Sequence, residues 1–211
     1  MTIDGAAMAS SAYPVRFDVE RPAEQSRLTN FPLGIGFFIR GILLIPHLVI
    51  LYFFGIAANV IYLISTVAIL FTGRYPRGLF NFYAGYMRWY AAVYSYLFHL
   101  YDKYPPFGTD PVEGFPMQLS IDYPPSSSRL LNFPILGLII KAILLIPHLV
   151  ILFFLYLALF VVLFIATFAI LFTGSFPAGM HRFVVGVGRW YNRVQAYLYA
   201  LTDKYPPFGL S

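Results

Sequence analysis

The stretch "LGIGFFIRGILLIPHLVILYFFGIAANVIYLISTVAILFT" (33–72) decides the fold class. Its clearly polar side chains before the final threonine are Arg40, His47, Asn59, Ser65 and Thr66. A second such stretch runs from Ile135 to Phe172 and is interrupted only by Lys141, His148 and Thr167. About 20 apolar residues suffice to cross a hydrocarbon core, so each stretch is twice as long as a span needs. The rest of the composition agrees, with 59% hydrophobic and 11% charged residues in a chain of 211. Soluble domains carry about 25% charged residues. The reading is an all-α integral membrane protein.

The two stretches belong to a duplication. Residues 40–108 align with 141–209 at a constant offset, and 39 of the 69 positions are identical. "ILLIPHLVIL" recurs at 42–51 and 143–152, "RWY" at 88–90 and 189–191, and "DKYPPFG" at 102–108 and 203–209. Upstream, "RLTNFP" (27–32) matches "RLLNFP" (129–134) at an offset larger by one, which places a one-residue loss between Pro134 and Lys141. Self-similarity at a fixed period means two copies of one unit. The expected division is a disordered N-terminus (1–12), a first membrane repeat (13–114) and a second (115–211), related by a pseudo-twofold axis.

Each repeat opens with period-two alternation: Val15, Phe17 and Val19, then Met117, Leu119 and Ile121. That pattern predicts a short half-buried strand in each copy, the two pairing antiparallel. The apolar stretch is too long for one straight crossing, so a helical hairpin is expected, Leu33–Phe53 in and Ile56–Thr72 out, turning near Gly55 and Tyr156. The rival is an interfacial helix up to Ile45, then a crossing from Pro46, a residue suited to a first helical position. "TGRYPRG" (72–78) and "TGSFPAG" (173–179) supply a Gly cap with Pro beyond it, a helix stop. The helices that follow, 79–101 and 180–202, carry Arg88, Arg182, Arg189 and Arg193 among Trp and Tyr and read as amphipathic and interfacial. A hairpin returns both termini to the side that the positive-inside rule makes cytoplasmic.

The polar residues kept in both copies form the candidate site. His47 and His148 could face each other and ligate a haem iron or another metal, or each could bond a carbonyl freed by the neighbouring proline. Arg40 and Lys141 read as snorkelling to lipid phosphates. Arg88-Trp89 and Arg189-Trp190 read as interface anchors that touch anionic head groups or another membrane subunit. Asp102-Lys103 and Asp203-Lys204 read as helix ends before a Pro-Pro stop.

Several classes are excluded or disfavoured. There is no cysteine, so disulfides and thiolate metal sites are out. The nine acidic residues all lie outside the apolar stretches, and no hydrolase triad, Walker loop or dinucleotide fingerprint appears. A net charge of +5 is too diffuse for a nucleic-acid footprint. The N-terminus lacks the basic-then-apolar pattern of a cleaved signal.

The ordered blocks "ILLIPHLVIL…AILFTGRYPRGLF…RWY…DKYPPFG" resemble a bacterial family of small membrane proteins known as a domain of unknown function, the DUF4389 type, here in tandem over about residues 13–211. The resemblance implies no activity, cofactor or catalytic residue. The expected function is therefore a non-enzymatic structural or accessory component of a bacterial inner-membrane complex, or a membrane-shaping scaffold. A small transporter or channel and a haem-binding electron-transfer subunit are the alternatives.

Overall fold

The computed structural model of the chain describes residues 13–211, so the disorder expected for residues 1–12 lies outside the described residues. The elements are β1 (Val15–Val19), α1 (Ile35–Thr72), α2 (Arg77–Leu97), β2 (Met117–Ile121), α3 (Leu136–Leu144), α4 (Ile146–Thr173) and α5 (Ala178–Leu198). The fold is mostly helical, with one two-stranded sheet. Two helices, α1 and α4, are long and apolar enough to cross a membrane.

The helical hairpin is not formed. Helix α1 runs unbroken for 38 residues, about 57 Å at 1.5 Å per residue, and passes straight through Gly55. The reason is its buried stripe. Arg40, Leu44, His47, Leu51, Ala58, Tyr62, Ser65 and Ile69 recur at three-, four- and seven-residue spacing and keep one continuous face on the protein. A turn at Gly55 would break that stripe, and no polar turn residue compensates. Pro46 is carried inside the helix, whereas the second copy pauses at Leu145 and starts α4 with Pro147 in its first turn. The Gly stops behave as expected: Gly73 (φ 68°) donates its N–H to Ile69 and Gly174 (φ 73°) to Ile170.

Helices α2 and α5 are not interfacial either. Of the residues in α2 only Arg77, Gly78 and Asn81 are exposed; in α5 only Ala178, Gly179 and Arg182 are. These are the central helices. Helix α2 runs back along α1, with Tyr96 under Arg40, Trp89 against His47 and Phe82 stacked on Phe54.

The strands form as their alternation predicts. Val15, Phe17, Val19, Met117 and Leu119 are buried, and the antiparallel register centres on Phe17 opposite Leu119, equivalent positions of the two copies. The ribbon lies lengthwise on the central helices. Beside α2, Phe115 packs on Tyr101, Arg88 donates to the Leu119 carbonyl at 3.0 Å, and Tyr123 packs on Phe80. Beside α5, the Arg193 guanidinium lies over Tyr13, Arg189 donates to the Phe17 carbonyl at 2.9 Å, and Arg21 donates to the Phe176 carbonyl. Each strand thus packs on the central helix of the other repeat.

The lost residue is located by the backbone. The first copy turns into α1 through Leu33 (φ 62°) and Gly34 (φ 79°), the second through Ile135 alone (φ 62°). The deletion therefore removes a left-handed turn residue rather than one inside the helix. Just beyond it, Gly36 is packed so closely that an added Cβ would lie 2.8 Å from the Thr29 carbonyl oxygen and the Phe31 nitrogen, both backbone atoms. Gly41, on the open side of the same helix, meets nothing within 4 Å. Gly36→Ala should destabilise by about 1–3 kcal/mol in detergent thermal unfolding, while Gly41→Ala should be neutral or stabilising by up to about 1 kcal/mol. Equal effects at the two sites would contradict this packing.

Candidate functional site

The polar residues shared by the copies assemble around the first turns of α1 and of α3–α4, and what gathers them is the segment "DKYPPFG". It leaves the end of the central helix and lies back along the long helix as a strap.

The first contact of the strap is with a buried cation. The Arg40 side chain is fully enclosed and all five of its N–H groups are used. Nε donates to the Thr29 carbonyl (3.0 Å), Nη1 to the carbonyls of Tyr96 (2.5 Å) and Tyr101 (2.7 Å), and Nη2 to Asn30 Oδ1 (2.7 Å) and to Asp102. Asn30 in turn donates to the Ser26 carbonyl and to Asp102, whose other oxygen accepts the Ser26 N–H at 2.5 Å. In the second repeat Lys141 replaces the guanidinium. It donates to Asn132 Oδ1 (2.6 Å), stands 4.0 Å from Asp203 and lies over the Tyr197 ring. Asn132 and Ser128 bind Asp203 as Asn30 and Ser26 bind Asp102. Arg40 and Lys141 therefore do not snorkel to phosphates: with no exposed surface, they reach no lipid.

One polar partner is not duplicated. His99, buried at the left-handed turn after α2 (φ 61°), donates from Nδ1 to Asn30 Oδ1 at 2.8 Å, where the second repeat has Ala200. Burial first, and then the charge of Arg40, push the His99 imidazole down to about 3.

The second contact of the strap closes an aromatic box. The His47 ring is stacked on Phe107 with centroids 3.8 Å apart, and Trp89 donates its indole N–H to His47 Nδ1 at 2.9 Å. The Tyr104 hydroxyl donates to the Leu43 carbonyl, next to the turn that Pro46 disturbs. His148, Phe208, Trp190 and Tyr205 repeat the arrangement, at 3.9 Å for the stack and 2.8 Å for the indole bond. Each imidazole is thus partnered within its own repeat rather than facing the other. A neutral imidazole has one ring lone pair, and here the indole takes it. The proton then sits on Nε2, which is buried in both repeats and in the first faces the Pro105 carbonyl of the strap. In this arrangement neither histidine offers a metal ion its lone pair. Among the described residues no group of three or more His, Asp or Glu is placed to hold a metal.

Trp89 and Trp190 are core residues rather than interface anchors, each 4% exposed. Arg88 and Arg189 are half-buried clamps on the ribbon. Arg88 bonds the Leu119 and Thr109 carbonyls, and Arg189 bonds those of Phe17 and Leu210 together with Asp18. Sequence reasoning missed Asn30, Asn132, Asp102, Asp203, Tyr104 and Phe107 as members of one site. Their signal was present, because all are kept in both copies, Asp102, Tyr104 and Phe107 within the identical block "DKYPPFG".

Two measurements follow from this geometry. Asp102→Ala leaves a buried guanidinium short of its countercharge, a loss on the order of 3–5 kcal/mol. Asp203→Ala, across a 4.0 Å pair, should cost clearly less in the same denaturation assay. The His99 ring stays neutral when folded but takes up a proton when unfolded below its ordinary 6.5. The unfolded state then binds more protons, so stability falls as pH drops from 6.5 towards 3, by up to about 1.4 kcal/mol per pH unit. His99→Ala, which installs the residue of the second repeat, should flatten this fall; an unchanged pH profile would contradict it.

The family model described as "Domain of unknown function (DUF4389)" matches residues 35–108 and again 136–209. Each match runs from the start of the long apolar stretch to the last residue of the strap. No curated protein and no solved structure matches the chain. The chain belongs to the DUF4389 family and carries its domain twice.

Proposed function

We propose that the chain is a non-enzymatic integral membrane protein of the bacterial cytoplasmic membrane that embeds α1 and α4 in one leaflet and serves as a structural or membrane-shaping scaffold. The observation that carries this reading is the position of the ribbon. It lies along the length of α2 and α5, from Phe115 beside Tyr101 to Tyr123 beside Phe80. Those central helices themselves run along α1 and α4. The outward positions of the ribbon are Arg16, Asp18, Glu20, Gln118 and Ser120, followed by Asp122, and the Asp18 and Asp122 side chains are 53% exposed.

A perpendicular crossing by α1 would bring that charged ribbon to hydrocarbon depth. Each charge there costs about 3 kcal/mol even on the lenient insertion scale. Laying the molecule down removes the conflict. The apolar faces of α1 and α4, where Phe71 and Phe172 are 76% exposed, meet the acyl chains, and the ribbon meets water. Arg74 and Arg77 at one end of α1 and Lys103 at the other then sit at head-group level. A pseudo-twofold axis through the Phe17–Leu119 pair, normal to the bilayer, gives both repeats the same depth. Two long apolar helices in one leaflet and none in the other expand that leaflet, the physical basis of bending.

The chain has no cysteine, so single-cysteine variants are unambiguous. Arg74→Cys and Lys103→Cys, at opposite ends of α1, should both react with an impermeant maleimide from the cytoplasmic side only. Labelling from opposite sides would sink the one-leaflet placement. Tubulation of vesicles by the purified protein should accompany it if shaping is the activity; fixed co-purifying subunits would instead favour an accessory role.

A further inference from the structure

Where α1 crosses the seam between the two central helices, the structure contains a cleft whose counterpart across the seam, bounded by Tyr156, Leu159, Val184 and Val187, is more apolar. Its floor of about 170 Å³ is formed by Asn59 of α1, Tyr86 and Tyr90 of α2, and Tyr191, Asn192 and Gln195 of α5. The same Asn59, Tyr86 and Tyr90 continue into a groove of about 360 Å³ that passes Gly55 and emerges beside Leu48, Tyr52 and Ile56. Tyr52 and Ile56 are 67% and 51% exposed on the apolar face of α1. The floor is therefore hydrogen-bonding and the mouth apolar, and no residue lining either part is charged or a histidine.

The duplication shows that the polar lining of this cleft is not a by-product of the fold. At the equivalent positions the second repeat has Tyr156 for Gly55, Phe160 for Asn59 and Val187 for Tyr86. Gly55 is what leaves the room, since even an added Cβ would come within 3.2 Å of the Tyr86 hydroxyl. In the second repeat the Tyr156 ring occupies that side of the seam and packs edge-on against Tyr191. One repeat thus combines the missing side chain, the amide and the extra phenol, and the other has none of the three.

We propose that this cleft binds an uncharged membrane lipid, head first. Carbonyl, ester or hydroxyl oxygens of the head join the hydroxyl cluster of Tyr86, Tyr90 and Tyr191, in which Tyr90 and Tyr191 bond each other. They also accept the Asn59 amide hydrogen not given to the Gly55 carbonyl, and the apolar chain leaves past Leu48 and Ile56 into the acyl layer. A phosphate is disfavoured because no cation lines the cleft, and a desolvated charge without a partner costs several kcal/mol. Phenols suit a site with a wet end and an apolar end. The inference rests on the apolar face of α1 meeting lipid.

The test uses the whole chain in phosphatidylglycerol nanodiscs doped with either dioleoylglycerol or a short-chain prenylated benzoquinone, read by native mass spectrometry. Flotation with vesicles is scored separately: a protein that does not float defeats the membrane placement, whereas one that floats but retains no neutral lipid defeats the cleft alone. The expected result is one retained equivalent of a neutral lipid. Which probe is kept separates an acylglycerol from an isoprenoid source. Asn59→Phe and Gly55→Tyr, which copy the second repeat, should each lower retention roughly tenfold, about 1.4 kcal/mol. Tyr90→Phe removes one donor with no change of shape and should lower it with the fold intact. Preferential retention of phosphatidylglycerol, or wild-type retention by Asn59→Phe together with Tyr90→Phe, would overturn the proposal.

Discussion

A guanidinium shut away from water must be given acceptors by the protein, and most of the first repeat is arranged to supply them to Arg40. Its partners come from the turn before its own helix, from the carbonyl end of α2 and from the strap. A cation at the carbonyl end of a helix is also favoured by the helix dipole. The left-handed turn at His99, repeated at Ala200, reverses the chain sharply, and in the first repeat it brings the Tyr96 and Tyr101 carbonyls onto one nitrogen. Once Asp102 is fixed there, Tyr104 and Phe107 fall over Leu43 and His47, and the box closes. The second repeat meets the need with a primary ammonium, which makes fewer directed bonds than a guanidinium. It correspondingly keeps a looser ion pair and dispenses with the histidine.

The layered arrangement explains why so apolar a chain retains a charged ribbon. Val15, Phe17, Met117 and Leu119 seal one side of the central helices, and their alternating neighbours face outward. The long helices cover other sides of α2 and α5 with their buried stripes and leave the rest of their circumference apolar and bare. Polar and apolar surfaces are thus separated across the thickness of the molecule rather than along its length. Hydropathy plots assume separation along the length, with spans alternating with loops.

This explains which parts were legible in the sequence. The duplication, the strands with their pairing, and the Gly stops were readable, because each depends on local chemistry or on periodicity. The hairpin at Gly55 was misread because comparing length with bilayer thickness takes no account of the continuous buried face that α1 keeps on the protein. The arginines and tryptophans were misread for a related reason. An amphipathic wheel shows that Arg88 and Trp89 need different surroundings, but not that both surroundings are protein. The strap was overlooked because "YPPFG" has the composition of a terminator; that Phe107 would stack on an imidazole 60 residues earlier is a tertiary fact with no local signature. The lipid cleft has only a negative signature, in the positions where the copies differ.

The exchange of strands also has a temporal side. Arg189 holds the carbonyl of Phe17 across 172 positions of sequence, and β1 has neither a pairing strand nor a helix to lie on until β2 and α5 have been made. As the chain leaves the ribosome, β1 must wait unpaired while α1, α2 and the whole second apolar stretch are made. The alternating charges Arg16, Asp18 and Glu20 suit that interval, since they keep an edge soluble and discourage its pairing with a neighbouring nascent chain. Assembly is therefore sealed late, by the strand that was synthesised first.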